Sequence, residues 1–285
     1  MTLEALVQAE LAEPVDERVT RLAEAIAARH GGASRAVLFY GSCLRERQFD
    51  GLMLDFYLIV SDYRSAYPER WLRLANRLIP PNVFPFEQDG LAAKYAVLSE
   101  ADFHRLNGPE TRNVSVWARF AQPSRLVWAK DGEASATAVT AIARAAPTLL
   151  GAALPSVGHL ADELDLWRHA FALTYSAELR AEKKTRGTSV VDADPDRYRA
   201  FTQPALAAAV RSASGWTRRR IEGKALSVLR LAKASATYAG GIDYIIWKIN
   251  RHAGTKIEVR PWQRNHPLLA AVSLLPRLLR SGAIR

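Results

Sequence analysis

The chain has 285 residues, of which 49% are hydrophobic and 24% are charged, so it can bury a core and is not a disordered polymer. A single cysteine, Cys43, excludes an internal disulfide framework, and the six histidines show no zinc-ligand spacing. Residues 217–285 hold 14 basic and 3 acidic residues, a net charge of +11, whereas residues 1–216 are almost neutral at −1. This asymmetry predicts a polyanionic partner, either a nucleic acid or an anionic membrane surface.

The first part of the chain alternates between two hydrophobic periods. Apolar residues at helical spacing predict helices over residues 16–30 and 67–78, the second ended by Pro80-Pro81. Short apolar runs predict strands over residues 36–39, 52–60, 92–98 and 125–128. Later sequence is helical, with helices predicted over residues 133–145, 160–184, 195–212 and 217–250. The pattern therefore predicts a small α/β unit followed by a helical, increasingly basic half.

Targeting signals are not evident in the sequence. We count no apolar run of the roughly 18–20 residues that a membrane span needs. The acidic residues near the N-terminus argue against a signal peptide or a transit peptide. We therefore expect a cytoplasmic protein.

A Gly-Ser bend between two predicted strands is the most specific local signal. Tyr40-Gly41-Ser42 follows the first strand, and Asp55 lies within the second. The arrangement resembles that of nucleotidyltransferase-fold enzymes, in which the glycine lets the backbone approach a triphosphate, the serine binds phosphate oxygens and the strand carboxylate holds Mg²⁺. Two acids usually alternate on that strand, but Met53 takes the first position here. The segment alone fits either an enzyme or a binding module of the same fold.

Five blocks in a fixed order extend this signal over about residues 36–240. They are Tyr40–Leu44 with Met53–Phe56, Lys94–Ser99, Trp117–Ser124, Leu173–Arg180 and Lys233–Gly240. Together they resemble the mitochondrial-type CDP-diacylglycerol synthase family, the translocator-maintenance type of phosphatidate cytidylyltransferase, which also lacks the first acid. The resemblance implies cytidylyl transfer from CTP to phosphatidate, giving CDP-diacylglycerol and pyrophosphate, with Mg²⁺ as cofactor.

The resemblance also implies roles for individual residues. Catalytic roles fall to Asp55, Lys94 and Glu178, and the metal ligands are Asp55 and Ser42. Nucleotide binding falls to Tyr40, Gly41, Ser42, Tyr175, Ser176, Arg119 and Arg180, and headgroup binding to Arg230, Lys233 and Thr237. Lys94 is predicted on a strand beside that of Asp55. Asp50, Glu87 and Asp89 are alternatives for a second metal ligand, and the sequence does not choose among them.

The implied fold is α+β, with a nucleotidyltransferase-like small mixed sheet, flanking helices and a mostly helical second domain with a basic C-terminal segment. We predict a nucleotidyltransferase domain over 1–130, a helical domain completing the active-site cleft over 131–216 and a basic helical segment for the lipid headgroup or membrane surface over 217–285.

The lipid substrate implies a place for the protein at a membrane. Residues 268–279 are apolar and have arginines alongside, which predicts peripheral binding to an anionic membrane on the inner face of the cell membrane. We find no RNA-recognition pattern and expect no nucleic-acid partner. Two alternatives stay open: a nucleotidyltransferase with a soluble or RNA acceptor, and a non-catalytic nucleotide-binding protein of the same fold.

Overall fold

The structure is a computed structural model that describes residues 1–46, 49, 51–158, 162–179, 190–211, 215–237 and 258–262. Its strands are β1 (Ser34–Tyr40), β2 (Met53–Val60), β3 (Asn82–Gln88), β4 (Leu91–Ser99) and β5 (Ser124–Ala129). Its helices include α1 (Leu3–Leu11), α2 (Glu17–Ala28), α3 (Ser42–Glu46), α4 (Tyr63–Ala66), α5 (Arg70–Leu78), α6 (Glu100–Asn107), α7 (Trp117–Phe120), α8 (Gly132–Ala143), α9 (Ala145–Ala153), α10 (Glu163–Ala177), α11 (Pro195–Ala207) and α12 (Trp216–Thr237).

The strands form one mixed sheet in the order β3-β4-β2-β1-β5. Strands β2 and β4 are parallel, and the other neighbouring pairs are antiparallel. A mixed sheet with helices around it and a helical region after it confirms the predicted α+β class.

Each face of the sheet is covered by its own hydrophobic cluster. Because side chains alternate along a strand, Val37 and Phe39 of β1 face α2, whereas Leu38 faces the helices that follow the sheet. The second cluster includes Leu38 and Tyr57 from the sheet and Trp167 from α10. The face that carries Leu38 and Tyr57 is therefore the one on which a cleft between the sheet and the later helices can form.

Aspartate caps fix where the main helices begin. The carboxylates of Asp16, Asp131, Asp162 and Asp194 accept backbone N–H groups in the first turns of α2, α8, α10 and α11, groups that have no partner within the helix. Helix α10 ends at Ala177, and Glu178 follows in an extended conformation.

Several elements differ from the sequence-based expectations. Strand β3 was not predicted; it contains Pro85 and lies at the sheet edge, where a residue without an N–H is tolerated. The helices that were not predicted are α1, α3, α4, α6, α7 and α9. The single helix predicted over 160–184 is wrong at its C-terminal end, because α10 stops at Ala177. The division into domains at residues 130 and 216 stays a prediction.

One stretch of the chain contradicts the expectation that no apolar run is long enough to span a membrane. Residues Gly132–Ser156, which contain α8 and α9, are long and apolar enough to cross a membrane by length and composition. Within the fold, 72% of the most apolar part of this stretch is buried, as is common for core helices of soluble proteins.

Helix α12 packs against α10 and the edge strand β3. A glycine permits the close approach, because a Cβ on Gly223 would lie 2.2 Å from the carbonyl oxygen of Ala177. Nearby, the buried guanidinium of Arg219 donates to the carbonyl oxygens of Thr111 and Arg112. These contacts fix the position of α12 beside the C-terminal end of α10.

Substituting Gly223 by alanine is expected to lower the free energy of unfolding by about 1–3 kcal/mol, because backbone must shift to admit the methyl group. Chemical denaturation measures the change. Gly132→Ala is the matched control, since nothing lies within 4 Å of the added Cβ; it is expected to be neutral or stabilising by up to about 1 kcal/mol. Equal effects of the two substitutions would contradict the close packing of α12 on α10.

Candidate functional site

Three polar side chains form a row across the central strands. Tyr40 at the end of β1 is the register partner of Asp55 on β2, and Asp55 is the partner of Lys94 on β4. Residues paired directly across strands point to the same face. The face of the sheet that carries Leu38 and Tyr57 therefore ends in a hydroxyl, a carboxylate and an ammonium group.

The bend after β1 brings backbone against the carboxylate. Gly41 has a φ of +97°, which side-chain-bearing residues rarely adopt, and a Cβ there would lie 3.1 Å from Asp55 Oδ2. The bend then leads into α3, which begins at Ser42. Glycine thus allows the chain to turn sharply beside Asp55 and leaves the carboxylate open to the cleft.

Asp55 and Lys94 form an ion pair, with 2.9 Å between Lys94 Nζ and Asp55 Oδ1. Both side chains are partly buried, so solvent screens the pair less than it would at the surface. Oδ1 is itself buried and accepts no hydrogen bond of normal geometry from the described residues, so its contact with Lys94 is electrostatic rather than directional. The prediction that Lys94 lies on a strand beside that of Asp55 is confirmed.

A second group of charges faces this row. Arg119 lies on α7, where Trp117 and Phe120 are buried, and one guanidinium nitrogen lies 3.7 Å from Glu178 Oε1. Arg230 on α12 approaches the same oxygen at 4.0 Å. Glu178, only 7% exposed in its side chain, thus holds two arginines from separate helices near each other.

Helix α12 is bound to the segment before β3 through backbone carbonyls. Arg230 Nε donates to Pro80 O at 2.8 Å, and Lys233 Nζ donates to Pro81 O at 2.7 Å and to Ile79 O. Burial lowers the pKa of Lys233 to about 7, and the charge of Arg230 acts in the same direction. Burial also lowers the pKa of Arg230, against the opposing effect of Glu178.

A cavity of about 290 Å³ lies between the sheet and these helices. Its lining includes five basic side chains and one carboxylate: Arg45, Lys94, Arg119, Arg230, Lys233 and Asp55. It also includes Tyr40, Gly41, Ser42, Tyr57, Ser115, Gln122 and Tyr175. Such an excess of positive charge in a cleft with low-dielectric walls favours a ligand with several negative charges, such as a polyphosphate.

Burial keeps the tyrosines of the cavity protonated, whereas neighbouring anionic groups keep Arg119 charged. The pKa of Tyr40 is raised well above its usual value, first by burial and then by the charge of Asp55. Burial also raises the pKa of Tyr57. Burial alone would lower the pKa of Arg119, but the charge of Glu178 and the other anionic groups nearby raises it overall. The tyrosine hydroxyls are therefore donors to an anionic ligand.

The donor set can be compared with what Mg²⁺ requires. Asp55 and Ser42 line the cavity and offer a carboxylate and a hydroxyl, both hard oxygen donors. Among the described residues no group of three His, Cys, Asp or Glu side chains is placed to hold a metal ion. Mg²⁺ is often bound through one or two carboxylates, with waters and substrate phosphates completing its shell. The residues therefore fit an ion that arrives with a polyphosphate, rather than one held by protein alone.

The structure places the remaining predicted residues at varying distances from this cavity. Glu178 lies behind Arg119 and Arg230 and is not among the lining residues, so its geometry is that of a positioning group. Ser176 is exposed, donates to Leu173 O and accepts from Arg220.

Other predicted residues lie away from the cavity or outside the residues that the structure describes. Glu87 is exposed on β3, and Asp89 is in the turn that follows; neither lines the cavity. Arg180, Asp50 and the side chain of Thr237 lie outside the described residues.

Sequence reasoning missed several residues of the cavity. Arg45 on α3 approaches Gln122 Oε1 at 3.4 Å, and Tyr57 lies two residues after Asp55 on the same face of β2. Tyr57 follows from the period of two along a strand. Gln122 lies within the block Trp117–Ser124 but has no signal of its own. Arg45 has no sequence signal either, because residues 44–51 were interpreted as a polar loop. The structure instead has the short helix α3 at this position.

No protein-family model matches the chain, and no curated protein matches it. Among solved structures, the chain is similar to a nucleotidyltransferase-like protein from Exiguobacterium sibiricum, with 12% identity, a TM-score of 0.28, and coverage of 93% of this chain and 92% of that chain. A likeness of this degree carries no argument about function. The resemblance to the CDP-diacylglycerol synthase family therefore stays a prediction.

Replacing Gly41 by alanine is expected to lower the free energy of unfolding by about 1–2 kcal/mol through the positive φ, and further because the methyl group would crowd Asp55. Gly51→Ala is the matched control, because Gly51 also has a positive φ, +70°, but no described atom within 4 Å of the added Cβ. Chemical denaturation measures the loss of stability in each variant. Equal losses would show that the contact with Asp55 is unimportant.

The low pKa of Lys233 gives a stability prediction with a definite sign. Unfolded lysine keeps its proton to about pH 10, whereas folded Lys233 loses it near a pKa of about 7. Between these values the unfolded state binds more protons. The free energy of unfolding of the wild type should therefore rise with pH relative to Lys233→Met, by at most about 1.4 kcal/mol per pH unit.

Urea denaturation at about pH 7 and about pH 9 measures this difference. The matched control is Lys224→Met, which changes an exposed lysine on the same helix and should track the wild type. Parallel pH profiles for all three proteins would contradict a buried, weakly basic Lys233.

Proposed function

We propose that the protein is a nucleotidyltransferase that binds a nucleoside triphosphate in the cavity between the sheet and α12. The observation that carries this proposal is the lining itself, which combines five basic side chains with one carboxylate beside a glycine bend. A nucleoside triphosphate has the charge, the length and the oxygen acceptors that such a cleft selects.

Four of the five basic side chains of the cavity fall into two groups according to the elements that hold them, and the fifth, Arg119, belongs to α7. Lys94 and Arg45 belong to the sheet and the helix after the bend, whereas Arg230 and Lys233 belong to α12. Two groups of cations suit two phosphate-bearing substrates that must meet, since each group neutralises one of them. This division supports a transfer between a triphosphate and a phosphorylated acceptor.

The finer proposal follows from the five sequence blocks: CTP is the donor and phosphatidate is the acceptor. An anionic oxygen of phosphatidate attacks the α-phosphorus of CTP and forms a new P–O bond, while the bond to the bridging oxygen of the β-phosphate breaks. The products are CDP-diacylglycerol and pyrophosphate. The acceptor phosphate is already ionised at neutral pH, so the protein needs no general base.

The protein contributes position and charge. Ser42 and the backbone at Gly41 bind the triphosphate, Lys94 and Arg119 neutralise its oxygens, and the two α12 cations orient the acceptor. Mg²⁺, held by Asp55 and Ser42 together with the nucleotide, would neutralise charge on the departing pyrophosphate. Tyr175 at the cavity wall is our candidate for contact with the base or ribose.

Asp55→Asn is expected to lower pyrophosphate release from CTP, with phosphatidate vesicles and Mg²⁺ present, by at least about 100-fold. The amide keeps the shape of the side chain but loses its charge. Glu87→Gln, the same change on the exposed surface of β3, is the control and should keep full activity. Turnover by Asp55→Asn at the wild-type rate would refute the proposed role of the carboxylate.

A second candidate function is favoured by one specific contact. The ion pair with Lys94 already neutralises Asp55, and Met53 replaces a second acid, which suits a nucleotide-binding protein without catalysis. This candidate predicts that CTP binds without pyrophosphate release from any acceptor. Turnover with a soluble or RNA acceptor, but not with phosphatidate, would instead keep the transferase and replace the lipid substrate.

A further inference from the structure

The outward face of α5 is apolar, which is unusual for a surface helix. Trp71, Leu74 and Leu78 are 51%, 57% and 66% exposed. Their spacing of three and four residues places them on one side of the helix. Leu72 and Asn76 occupy the buried side. A surface helix normally turns polar residues outward, so this stripe of three side chains indicates a surface that leaves water when a partner binds.

Arginines accompany the stripe and define the charge of the partner. Arg70 and Arg77 are exposed on α5, and Arg64 is exposed on the preceding α4. Helix α5 contains no acidic residue, and Glu69 is its N-terminal cap. Exposed leucines with a tryptophan and arginines are the composition of helices that lie in the interface of an anionic bilayer. Tryptophan in particular favours the headgroup level.

The stripe is also close to the proposed acceptor site. Leu78 ends α5, and the next three residues lead to Pro81, which lines the cavity. Arg230 and Lys233 donate hydrogen bonds to carbonyl oxygens within this same segment. Three residues span at most about 11 Å. A lipid headgroup next to α5 would therefore lie within reach of the two α12 cations.

We propose that the stripe Trp71, Leu74 and Leu78, with Arg70 and Arg77, docks the protein on an anionic lipid bilayer and presents the cavity to the headgroups. The proposal deepens the proposed function and rests on its choice of a lipid acceptor. It gives the membrane contact a position in the described fold. The earlier prediction for residues 268–279 lies outside the described residues.

Vesicle flotation without nucleotide tests the docking surface. The full-length protein is mixed with phosphatidylcholine vesicles that contain or lack phosphatidate. The triple variant Trp71→Ser, Leu74→Ser, Leu78→Ser is expected to reduce the fraction bound to phosphatidate vesicles at least about tenfold. Arg70→Gln with Arg77→Gln should weaken binding by about fivefold per arginine and remove much of the preference for anionic vesicles.

A matched control changes exposed apolar residues elsewhere. Val210→Ser with Ile221→Ser alters side chains that are 62% and 67% exposed, and these variants should float like the wild type. Equal flotation of the triple variant, the control and the wild type would overturn the proposal. The same holds if the triple variant keeps flotation but melts at a lower temperature, because the stripe would then be covered by residues of this chain.

A soluble acceptor separates this proposal from the proposed function. With short-chain phosphatidate dissolved as monomers, the triple variant should keep the wild-type rate of pyrophosphate release, whereas with vesicles its rate should fall. Equal losses with both acceptors would overturn the docking role. If the wild type shows no turnover with either acceptor, the lipid transferase fails, and the flotation result still decides whether α5 binds anionic membranes.

Discussion

The candidate site depends on a cluster of positive charges that the fold takes partly out of water. Only two described carboxylates lie among them: Asp55, paired with Lys94, and Glu178, between Arg119 and Arg230. Removing charges from water is costly unless they are paired, and among the described residues five basic side chains share these two carboxylates. An anionic ligand would supply the missing negative charge. The proposed polyphosphate ligand would complete the charge balance of the cluster.

At several points the backbone, rather than a side chain, sets the positions of the charged groups of the site. Gly41 lets the chain bend against Asp55, and Gly223 lets α12 approach the end of α10. Carbonyl oxygens of residues 79–81 accept hydrogen bonds from the two α12 cations and so hold them at the cavity. The sheet register then sets Asp55 against Lys94. Small residues and main-chain oxygens position the charges.

Local patterns were enough to predict the parts of the site that lie on regular elements. The strands of Asp55 and Lys94 and the bend at Gly41 follow from apolar runs and turn residues, and their pairing is confirmed. Strand β3 was not predicted; it contains Pro85, which a strand tolerates at the edge of a sheet, and edge position cannot be seen from one segment. The bonds from α12 to residues 79–81 join positions about 150 apart in the chain, so no local pattern reveals them.

The proposed function requires that the described cleft binds a nucleoside triphosphate through its phosphates. Thermal shift with Mg²⁺ and each nucleotide measures this binding, because a ligand of the native state raises the melting temperature. CTP is expected to stabilise the protein and CMP to do so far less, and Arg119→Gln is expected to abolish the difference. Equal shifts for CTP and CMP, or no shift with any nucleoside triphosphate, would refute binding through the phosphates.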